Sequence, residues 1–206
     1  MKIAIVGGTG TFGRALARRL HLLGEEVFIG SRDVRRGVER GLELGVEGGG
    51  NHEVVRGVDL VVLATKSNAT LETGAELAEE IGETPVLCVA SDLRFTDNGI
   101  VPGLEAGSLA EALALVLRAP LASGLQMVSA IDLSGPEPPD QDALVCGDDE
   151  RAKKLSLELA GRLVGGRAID CGPLANSRAL EGMTAVILNV NRQFGVHAGL
   201  RITGLQ

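Results

Sequence analysis

A chain of 206 residues, 45% of them apolar, can form one large domain or a nucleotide-binding domain with a smaller partner domain, and its core needs no disulfide or metal. The net charge of −7 and the absence of a long basic run argue against nucleic acid as a partner, and every apolar run is too short to span a membrane. Because Met1 and Lys2 lead directly into the first predicted strand, we expect no signal peptide and a cytoplasmic protein.

The first predicted strand, residues 2–6, runs directly into a glycine-rich turn and an amphipathic helix. Three glycines of that turn stand in the glycine positions of the G-x-G-x-x-G pattern. In this pattern they permit a tight turn, close approach of the backbone to a pyrophosphate, and close packing of helix on strand. The sequence therefore predicts a dinucleotide whose phosphates lie at the helix N-terminus, in a site formed by Gly8, Gly10 and Gly13.

The second predicted strand, residues 27–29, indicates which dinucleotide binds. Proteins that bind NAD usually have Asp or Glu at the end of this strand, to accept hydrogen bonds from the ribose. This chain has Ser31 and Arg32, and Arg36 follows one turn later. A hydroxyl and guanidinium groups suit the 2′-phosphate of NADP, so we favour NADP over NAD. The alternative is an ordinary solvated helix start, for which Asp33 would be the capping acid.

Alternating strands and helices continue through the first half of the chain. A glycine-rich helix-and-loop region ends at residues 48–50, and Asn51 follows as the cap of a short helix. Continuous apolar strands at residues 60–64 and 86–90 flank a helix over 68–81, a pattern typical of a parallel sheet covered on both faces. We predict a Rossmann-type α/β fold with a doubly wound, mostly parallel sheet.

The alternation of predicted strands and helices becomes less regular beyond residue 91, and we place a domain boundary near residue 120. Residues 1–120 would be the NADP-binding domain, and residues 121–206 a smaller C-terminal α/β domain. The elements predicted here are helix 108–117, strand 126–133, strand 143–146, a helix ending near 164, strand 167–171 and helix 176–194. The last helix has an apolar stripe that packs on the sheet or across a dimer axis: Leu180, Met183, Ile187, Val190 and Phe194.

Residue types on which many active sites depend are scattered or missing. The three cysteines form no C-x-x-C pair, and none stands at metal-ligand spacing from a histidine, so we expect no metal site. The chain has no Tyr, which counts against a reductase that uses tyrosine as its proton donor.

Several motifs, in this order along nearly the whole chain, resemble those of F420-dependent NADP reductases. They are GGTG at 7–10 with SR at 31–32, VCGDD at 145–149, GPLANSR at 172–178, ILN at 187–189 and GLRI at 199–202. The resemblance implies hydride exchange between NADP(H) and the deazaflavin coenzyme F420, both bound in the cleft between the two domains. The apolar stripe of the last helix suits a homodimer, and packing within the chain would leave the same stripe. The resemblance also implies that no side chain is a catalytic acid or base, because both reacting carbons belong to cofactors.

The same resemblance implies roles for individual residues. Thr9, Gly10, Thr11 and Phe12 would line the phosphates, and Thr9, Ser31, Arg32 and Arg36 would bind the 2′-phosphate. The nicotinamide would lie near Ala64, Thr65, Lys66, Ser67 and Ala90. F420 would be bordered by the loop after Leu125, which leads to Asp132, and by the C-terminal segment.

The chain departs from the family pattern at two positions. Lys66 stands in a stretch where the family is usually apolar with a proline; it would meet an acidic group of a cofactor or remain solvated at the helix entry. Asp132 stands where some members have His, and would be a wall of the second pocket or a capping acid. The alternatives are therefore an NADPH-dependent reductase of another small acceptor, such as an imine, a flavin or a ferric chelate, and a non-catalytic NADP-binding sensor.

Overall fold

A computed structural model describes residues 1–104 and 106–205, which form a mostly parallel sheet of eight strands and a separate two-stranded hairpin. The strands are β1 (Lys2–Val6), β2 (Glu26–Ser31), β3 (Glu47–Gly50), β4 (Leu60–Leu63), β5 (Val86–Cys88), β6 (Leu93–Thr96), β7 (Gly99–Pro102), β8 (Leu121–Gly124), β9 (Ala143–Gly147) and β10 (Ala168–Asp170). The helices are α1 (Thr11–Leu22), α2 (Val34–Leu44), α3 (Asn51–Val54), α4 (Ser67–Glu76), α5 (Ala78–Ile81), α6 (Leu109–Val116), α7 (Ala130–Leu133), α8 (Glu150–Leu163) and α9 (Ser177–Phe194).

The large sheet has the strand order β10-β9-β8-β5-β4-β1-β2-β3. All neighbouring strands are parallel except β8 and β9, which are antiparallel. This arrangement confirms the predicted Rossmann-type fold class. Because β1, β2, β4 and β5 are parallel and adjacent, their carboxyl ends meet at one edge of the sheet, where open α/β sheets bind ligands.

The core lies in two layers, one on each face of the sheet. Ile3 and Ile5 of β1 pack with Leu16 of α1, whereas the alternate residues Ala4 and Val6 belong to the layer that covers the other face. Side chains of a strand alternate between its two faces, so a strand buried on both sides reads as a continuous apolar run. That is why the central strands were predictable from the sequence.

Helix α2 lies directly against the backbone of β3. A Cβ atom added to Gly37 of α2 would lie 2.2 Å from the carbonyl oxygen of Gly49, and one on Gly48 would lie 2.0 Å from the carbonyl oxygen of Gly37. Only glycine permits this approach of helix to strand. The glycine-rich segment predicted as helix and loop therefore contains an edge strand, which pairs with β2. Its composition gave no signal, because glycine is depleted in strands.

The predicted strand over residues 126–133 is wrong. The strand that continues the sheet, β8, precedes it and has the small-residue sequence Leu-Ala-Ser-Gly. Leu125 then adopts a φ of 67°, in the left-handed region, and ends the strand. Further on, the Ser129 hydroxyl accepts hydrogen bonds from the backbone N–H groups of Ile131 and Asp132 and so begins α7.

Two further differences concern local signals. The predicted helix over 68–81 is divided at Leu77 into α4 and α5. The hairpin β6–β7 was not predicted. All eight of its strand residues (93–96 and 99–102) are partly or fully exposed, so they lack the alternation of buried and exposed positions that reveals a strand.

The C-terminal half continues the large sheet rather than forming a separate one. Strands β8, β9 and β10 lie in the same sheet as β1–β5, and the predicted division at residue 120 falls just before β8. On α9, Leu180 packs with Leu144 of β9, whereas Phe194 at the other end is exposed. The apolar stripe therefore packs on the sheet from Leu180 through Met183 to Ile187, and its last member, Phe194, is exposed. Among the described helices, none has the length and apolarity to cross a membrane.

Candidate functional site

A cleft of about 610 Å³ opens at the carboxyl ends of β1, β2 and β4. Seven of the predicted site residues line it: Thr9, Gly10, Ser31, Arg32, Arg36, Thr65 and Lys66. The other lining residues are Gly7, Asp33, Asn51, Ala64, Asn68, Ala69, Glu72 and Thr73. The β1–α1 turn forms its floor, the β2–α2 turn forms one wall, and the start of α4 forms the opposite wall.

The floor of the cleft is built from tightly packed backbone. Gly7 has a φ of +83°, and its carbonyl oxygen accepts a hydrogen bond from the N–H of Gly10 at 3.0 Å. A Cβ on Gly8 would lie 2.6 Å from Cβ of Ile29, and one on Gly13 would lie 2.5 Å from the carbonyl oxygen of Gly7. Gly8 and Gly13 therefore do not line the cleft; they allow the turn and α1 to pack beneath it.

The N-terminus of α1 opens onto this floor. Gly10 is the N-cap residue, so no side chain caps the helix, and its first turn contains no acidic residue. The first N–H groups and the positive end of the helix dipole remain available to an anion. Thr11 and Phe12 begin the helix and are not among the residues that line the cleft. The glycine cradle and the uncapped helix fit a diphosphate.

The β2–α2 wall has both of the features that the sequence left as alternatives. Asp33 caps α2, since its Oδ1 accepts a hydrogen bond from the N–H of Arg36 at 3.3 Å, and its own N–H donates to Oγ of Ser31 at 3.2 Å. Arg32 and Arg36 nevertheless line the cleft, and among the described residues neither guanidinium has an ion-pair partner. This wall therefore offers two exposed cations and a buried hydroxyl to an anionic group.

Side-chain hydrogen bonds fix the chain where it enters the opposite wall. The hydroxyl of Thr70 donates to the carbonyl oxygen of Lys66 at 3.0 Å and lies 3.0 Å from the hydroxyl of Thr65. The Lys66 side chain is exposed at the N-cap position of α4 and lines the cleft. Both interpretations of this lysine stay open. Ser67, the first residue of α4, is not among the lining residues.

The structure does not bring Ala90 and Asp132 into the cleft. Ala90 is buried just beyond β5, and Asp132 lies on α7, which contacts α1. Their assignment to a cofactor stays a prediction.

A buried polar cluster follows the carboxyl ends of β5 and β8. The Gln126 side chain is 8% exposed, and its amide nitrogen donates to Oγ of Ser123 at 2.6 Å and to the carbonyl oxygen of Cys88 at 3.4 Å. Nearby, the Ser91 and Thr184 hydroxyls lie 3.2 Å apart. Burial raises the pKa of the Cys88 thiol to about 12, so this cysteine remains an unreactive thiol at neutral pH.

Several residues that line the cleft were not predicted from the sequence. Among the asparagines and acidic residues of the cleft, Asn51 is the most buried, at 7% exposed. The sequence position of Asn51 predicted the cap of a short helix, which is wrong: Asn51 is the first residue of α3, and Gly50 is its N-cap residue. Nothing in the pattern indicated that β3 would bring Asn51 beside Ser31. The described residues contain no group of three or more His, Cys, Asp or Glu side chains that could bind a metal ion.

Comparison with known proteins supports a single assignment. Residues 2–90 match a family model described as "NADP oxidoreductase coenzyme F420-dependent". The F420-dependent NADP reductase of Methanothermobacter thermautotrophicus is 35% identical over an alignment that covers 100% of this chain and 96% of the relative. The F420-dependent NADP reductase of Methanocaldococcus jannaschii is 36% identical over an alignment that covers 100% of both chains.

Solved structures agree on the fold. The crystal structure of a candidate F420-dependent NADP reductase from Arthrobacter sp. FB24 superposes with a TM-score of 0.86 at 28% identity, covering 98% of this chain and 99% of that one. An imine reductase from Streptomyces aurantiacus gives a TM-score of 0.64 at 17% identity, with 94% of this chain and 61% of that chain covered, which shows a shared fold alone. Because this chain is 35% and 36% identical in sequence to the reductases of Methanothermobacter thermautotrophicus and Methanocaldococcus jannaschii over its whole length, it belongs to the F420-dependent NADP reductase family.

Proposed function

We propose that this protein is an F420-dependent NADP reductase, an oxidoreductase that transfers a hydride reversibly between NADP(H) and coenzyme F420. The observation that carries the proposal is the identity of 35–36%, along the whole chain, to reductases named for this activity. The cleft is consistent with it, since it combines an uncapped helix N-terminus with two cations on one wall.

In this proposal NADP binds in the cleft with its diphosphate over the β1–α1 turn. The backbone of Thr9 and Gly10 and the first turn of α1, at Thr11 and Phe12, would supply N–H donors. Gly8 and Gly13 would act indirectly, because they let this turn lie close to β2 and α1.

The 2′-phosphate is proposed to bind at the β2–α2 wall. Ser31 would contribute a hydroxyl, and Arg32 and Arg36 would contribute charge-assisted hydrogen bonds, which are stronger than neutral ones. The Asp33 carboxylate is engaged at the N-terminus of α2, so it does not take the place of the ribose-binding acid of NAD proteins.

The reacting end of the site is proposed to lie beyond β4 and β5. Thr65, Lys66, Ser67 and Ala90 would border the nicotinamide, and F420 would lie between residues 1–120 and 121–206, near the loop that leads to Asp132. The buried Gln126 cluster supports a location beside β5, since it links the carboxyl ends of β5 and β8.

Bound together, the two cofactors supply a hydride donor carbon and an acceptor carbon. The residues of this chain would hold these carbons at near-contact, roughly 3–3.5 Å, and exclude water, without donating or accepting a proton there. This role is consistent with the lack of tyrosine in the chain, and with Lys66 being the sole lysine among the described residues that line the cleft.

We also propose a cytoplasmic homodimer. The three cysteines are unpaired thiols, as is usual in a reducing compartment. The exposed apolar side chains Val186, Phe194 and Val196 on and after α9 would be covered by a second copy, since large exposed apolar patches mark interaction sites.

Anaerobic mixing with F420, followed by the visible absorbance of the deazaflavin, tests the proposed function. We expect rapid bleaching with NADPH, much slower bleaching with NADH, and a raised KM for NADPH in Arg32→Ala. Absence of bleaching despite tight NADPH binding would contradict F420 as the acceptor. Turnover of an imine, a flavin or a ferric chelate would then identify a different reductase, and no turnover would indicate a sensor.

A further inference from the structure

One buried amide oxygen of the cleft has no hydrogen-bond partner among the residues that the structure describes. The Asn51 side chain is 7% exposed, and its Oδ1 is buried without a hydrogen bond from any of the described residues. Nearly all buried polar atoms in proteins are hydrogen-bonded, and a buried acceptor left unpaired lowers stability. The residue that carries this unpaired oxygen also lines the open cleft, so its amide is a candidate ligand contact.

The local packing holds this amide in place. Asn51 begins α3 immediately after β3, whose residue Gly50 pairs with Ser31 in the sheet. Its Oδ1 lies over Gly30, where an added Cβ would approach it to 2.6 Å. A glycine at position 30 thus allows the amide to lie at the end of β2, next to the residues proposed for the 2′-phosphate.

This position matches a need of the adenosine ribose. In NAD proteins an Asp or Glu at the end of β2 accepts hydrogen bonds from the ribose hydroxyls. This chain has Ser31 there, so a ribose with a phosphate on its 2′ oxygen still has a 3′-hydroxyl that requires an acceptor. A carboxylate would repel the phosphate, whereas an amide oxygen accepts the hydrogen bond without charge.

The acidic residues of the cleft are less suited to this role. Asp33 already accepts the N–H of Arg36, and Glu72 is exposed on the opposite wall. Asn51 combines burial, neutrality and an unpaired acceptor on the wall that contains Ser31.

We propose that Asn51 is a specificity-determining residue of the nucleotide site, and that its side-chain amide oxygen accepts a hydrogen bond from the 3′-hydroxyl of the adenosine ribose of NADP(H). This inference deepens the proposed function, since it assumes that NADP(H) binds in the cleft. The neutral amide then favours NADP(H) over NAD(H) by satisfying the ribose without repelling the 2′-phosphate.

Binding titrations with NADPH and its 3′-deoxy analogue measure the contribution of that hydroxyl. We expect the full-length wild-type protein to bind the 3′-deoxy analogue about 5- to 10-fold more weakly, as for one lost hydrogen bond. In Asn51→Leu, which has a similar shape without polar atoms, the two ligands should bind equally. The unliganded variant should be at least as thermally stable as wild type, because the unpaired buried amide is gone.

Asn51→Asp is the complementary variant. It retains an acceptor, so the 3′-hydroxyl should still contribute, but its charge should lower the ratio of NADPH to NADH affinity by about 10-fold. His52→Ala is the matched control: His52 is the next residue, and its exposed ring is hydrogen-bonded to Glu80, outside the cleft. This variant should keep the wild-type discrimination.

Equal binding of both ligands by wild type would overturn the inference, and so would an undiminished preference for the hydroxyl in Asn51→Leu. An unchanged cofactor ratio in Asn51→Asp would also contradict it. If wild type binds NADH as tightly as NADPH, the proposed cofactor is wrong, and the same comparison with 3′-deoxy-NADH still decides the Asn51 contact.

Discussion

The side-chain amide of Asn189 pairs with the backbone of Ile100 as a neighbouring strand would. Its Oδ1 accepts the N–H of Ile100 at 3.0 Å, and its Nδ2 donates to the carbonyl oxygen of the same residue at 2.7 Å. Asn189 lies on α9 and Ile100 lies on β7, so these two bonds attach the exposed hairpin to the C-terminal helix. The hairpin is thereby connected to the half of the chain that is proposed to border F420.

Asn189→Ala should loosen the hairpin without unfolding the protein. The variant loses the hydrogen bond that protects the backbone amide of Ile100. Hydrogen exchange of this amide should become roughly 5-fold faster, because one hydrogen bond contributes about 1 kcal/mol to the free energy of local opening. Gln193→Ala, an exposed position on the same helix, is the control and should leave this exchange unchanged. Equal exchange rates in wild type and Asn189→Ala would show that the amide does not hold the hairpin.

Glu181 is a buried carboxylate that joins α9 to α6. Its Oε1 accepts the N–H of Leu109 at 2.9 Å, and its Oε2 accepts the N–H of Asp92 at 3.4 Å. Burial raises the pKa of Glu181 to about 7, an effect that these hydrogen bonds oppose and the nearby Asp92 carboxylate reinforces. The native state therefore holds this proton more tightly than the unfolded chain does.

From this pKa we predict that Glu181 makes the protein less stable as the pH rises. Its contribution is fully present below the ordinary pKa of a glutamate, about 4.3, and is lost as the pH rises through about 7. In Glu181→Gln, which does not titrate, that loss is absent. Urea unfolding at pH 4.5 and 7.5 should show the variant gaining on the order of 2 kcal/mol relative to wild type across this range. Parallel stability profiles for the two proteins would refute the prediction.

The contact between α2 and β3 should tolerate no side chain. A Cβ on Gly37 would lie 2.2 Å from the carbonyl oxygen of Gly49, so Gly37→Ala must push the helix away from the strand. We expect the free energy of unfolding to fall by about 1–3 kcal/mol, as for other overpacked sites. Because α2 carries Arg36, NADPH affinity should fall as well.

Gly161→Ala provides the matched control in α8. A Cβ there has its nearest neighbour, Cβ of Ala168, at 3.6 Å, an ordinary contact. This variant should gain about 0.5–1 kcal/mol, since glycine is unfavourable within a helix, and should bind NADPH as wild type does. A Gly37→Ala protein as stable as Gly161→Ala would disprove the packing argument.

The sequence was sufficient to predict the strands and helices whose burial leaves a regular apolar pattern along the chain. The apolar run Leu60–Leu63 and the helical spacing of Phe12, Leu16 and Leu20 predicted a buried strand and a helix, because burial on one or two faces leaves a regular pattern. The strand β3 was not predicted, since its glycines are required by close contact with the backbone of α2, and such a contact leaves no apolar pattern in the sequence. The same is true of β8, which is stabilised by its neighbours β5 and β9.

The candidate site divides in the same way. The turn at Gly8 and Gly10 and the cluster at Ser31 and Arg32 follow predicted strands directly, so their positions could be inferred from the chain. Asn51 reaches the cleft through the pairing of β3 with β2, and its role depends on an unpaired atom that no pattern of residues reveals.

Deuterium transfer between the two cofactors tests the central claim most directly. NADPH labelled with deuterium at C4 of the nicotinamide, in separate preparations for each face, would be mixed anaerobically with the protein and F420, and the reduced deazaflavin analysed by mass spectrometry. One of the two preparations should deliver its deuterium to F420 quantitatively, in water, with no loss to solvent, because no side chain handles the hydride. Unlabelled reduced F420 from both preparations, or no reduced F420 at all, would contradict direct transfer.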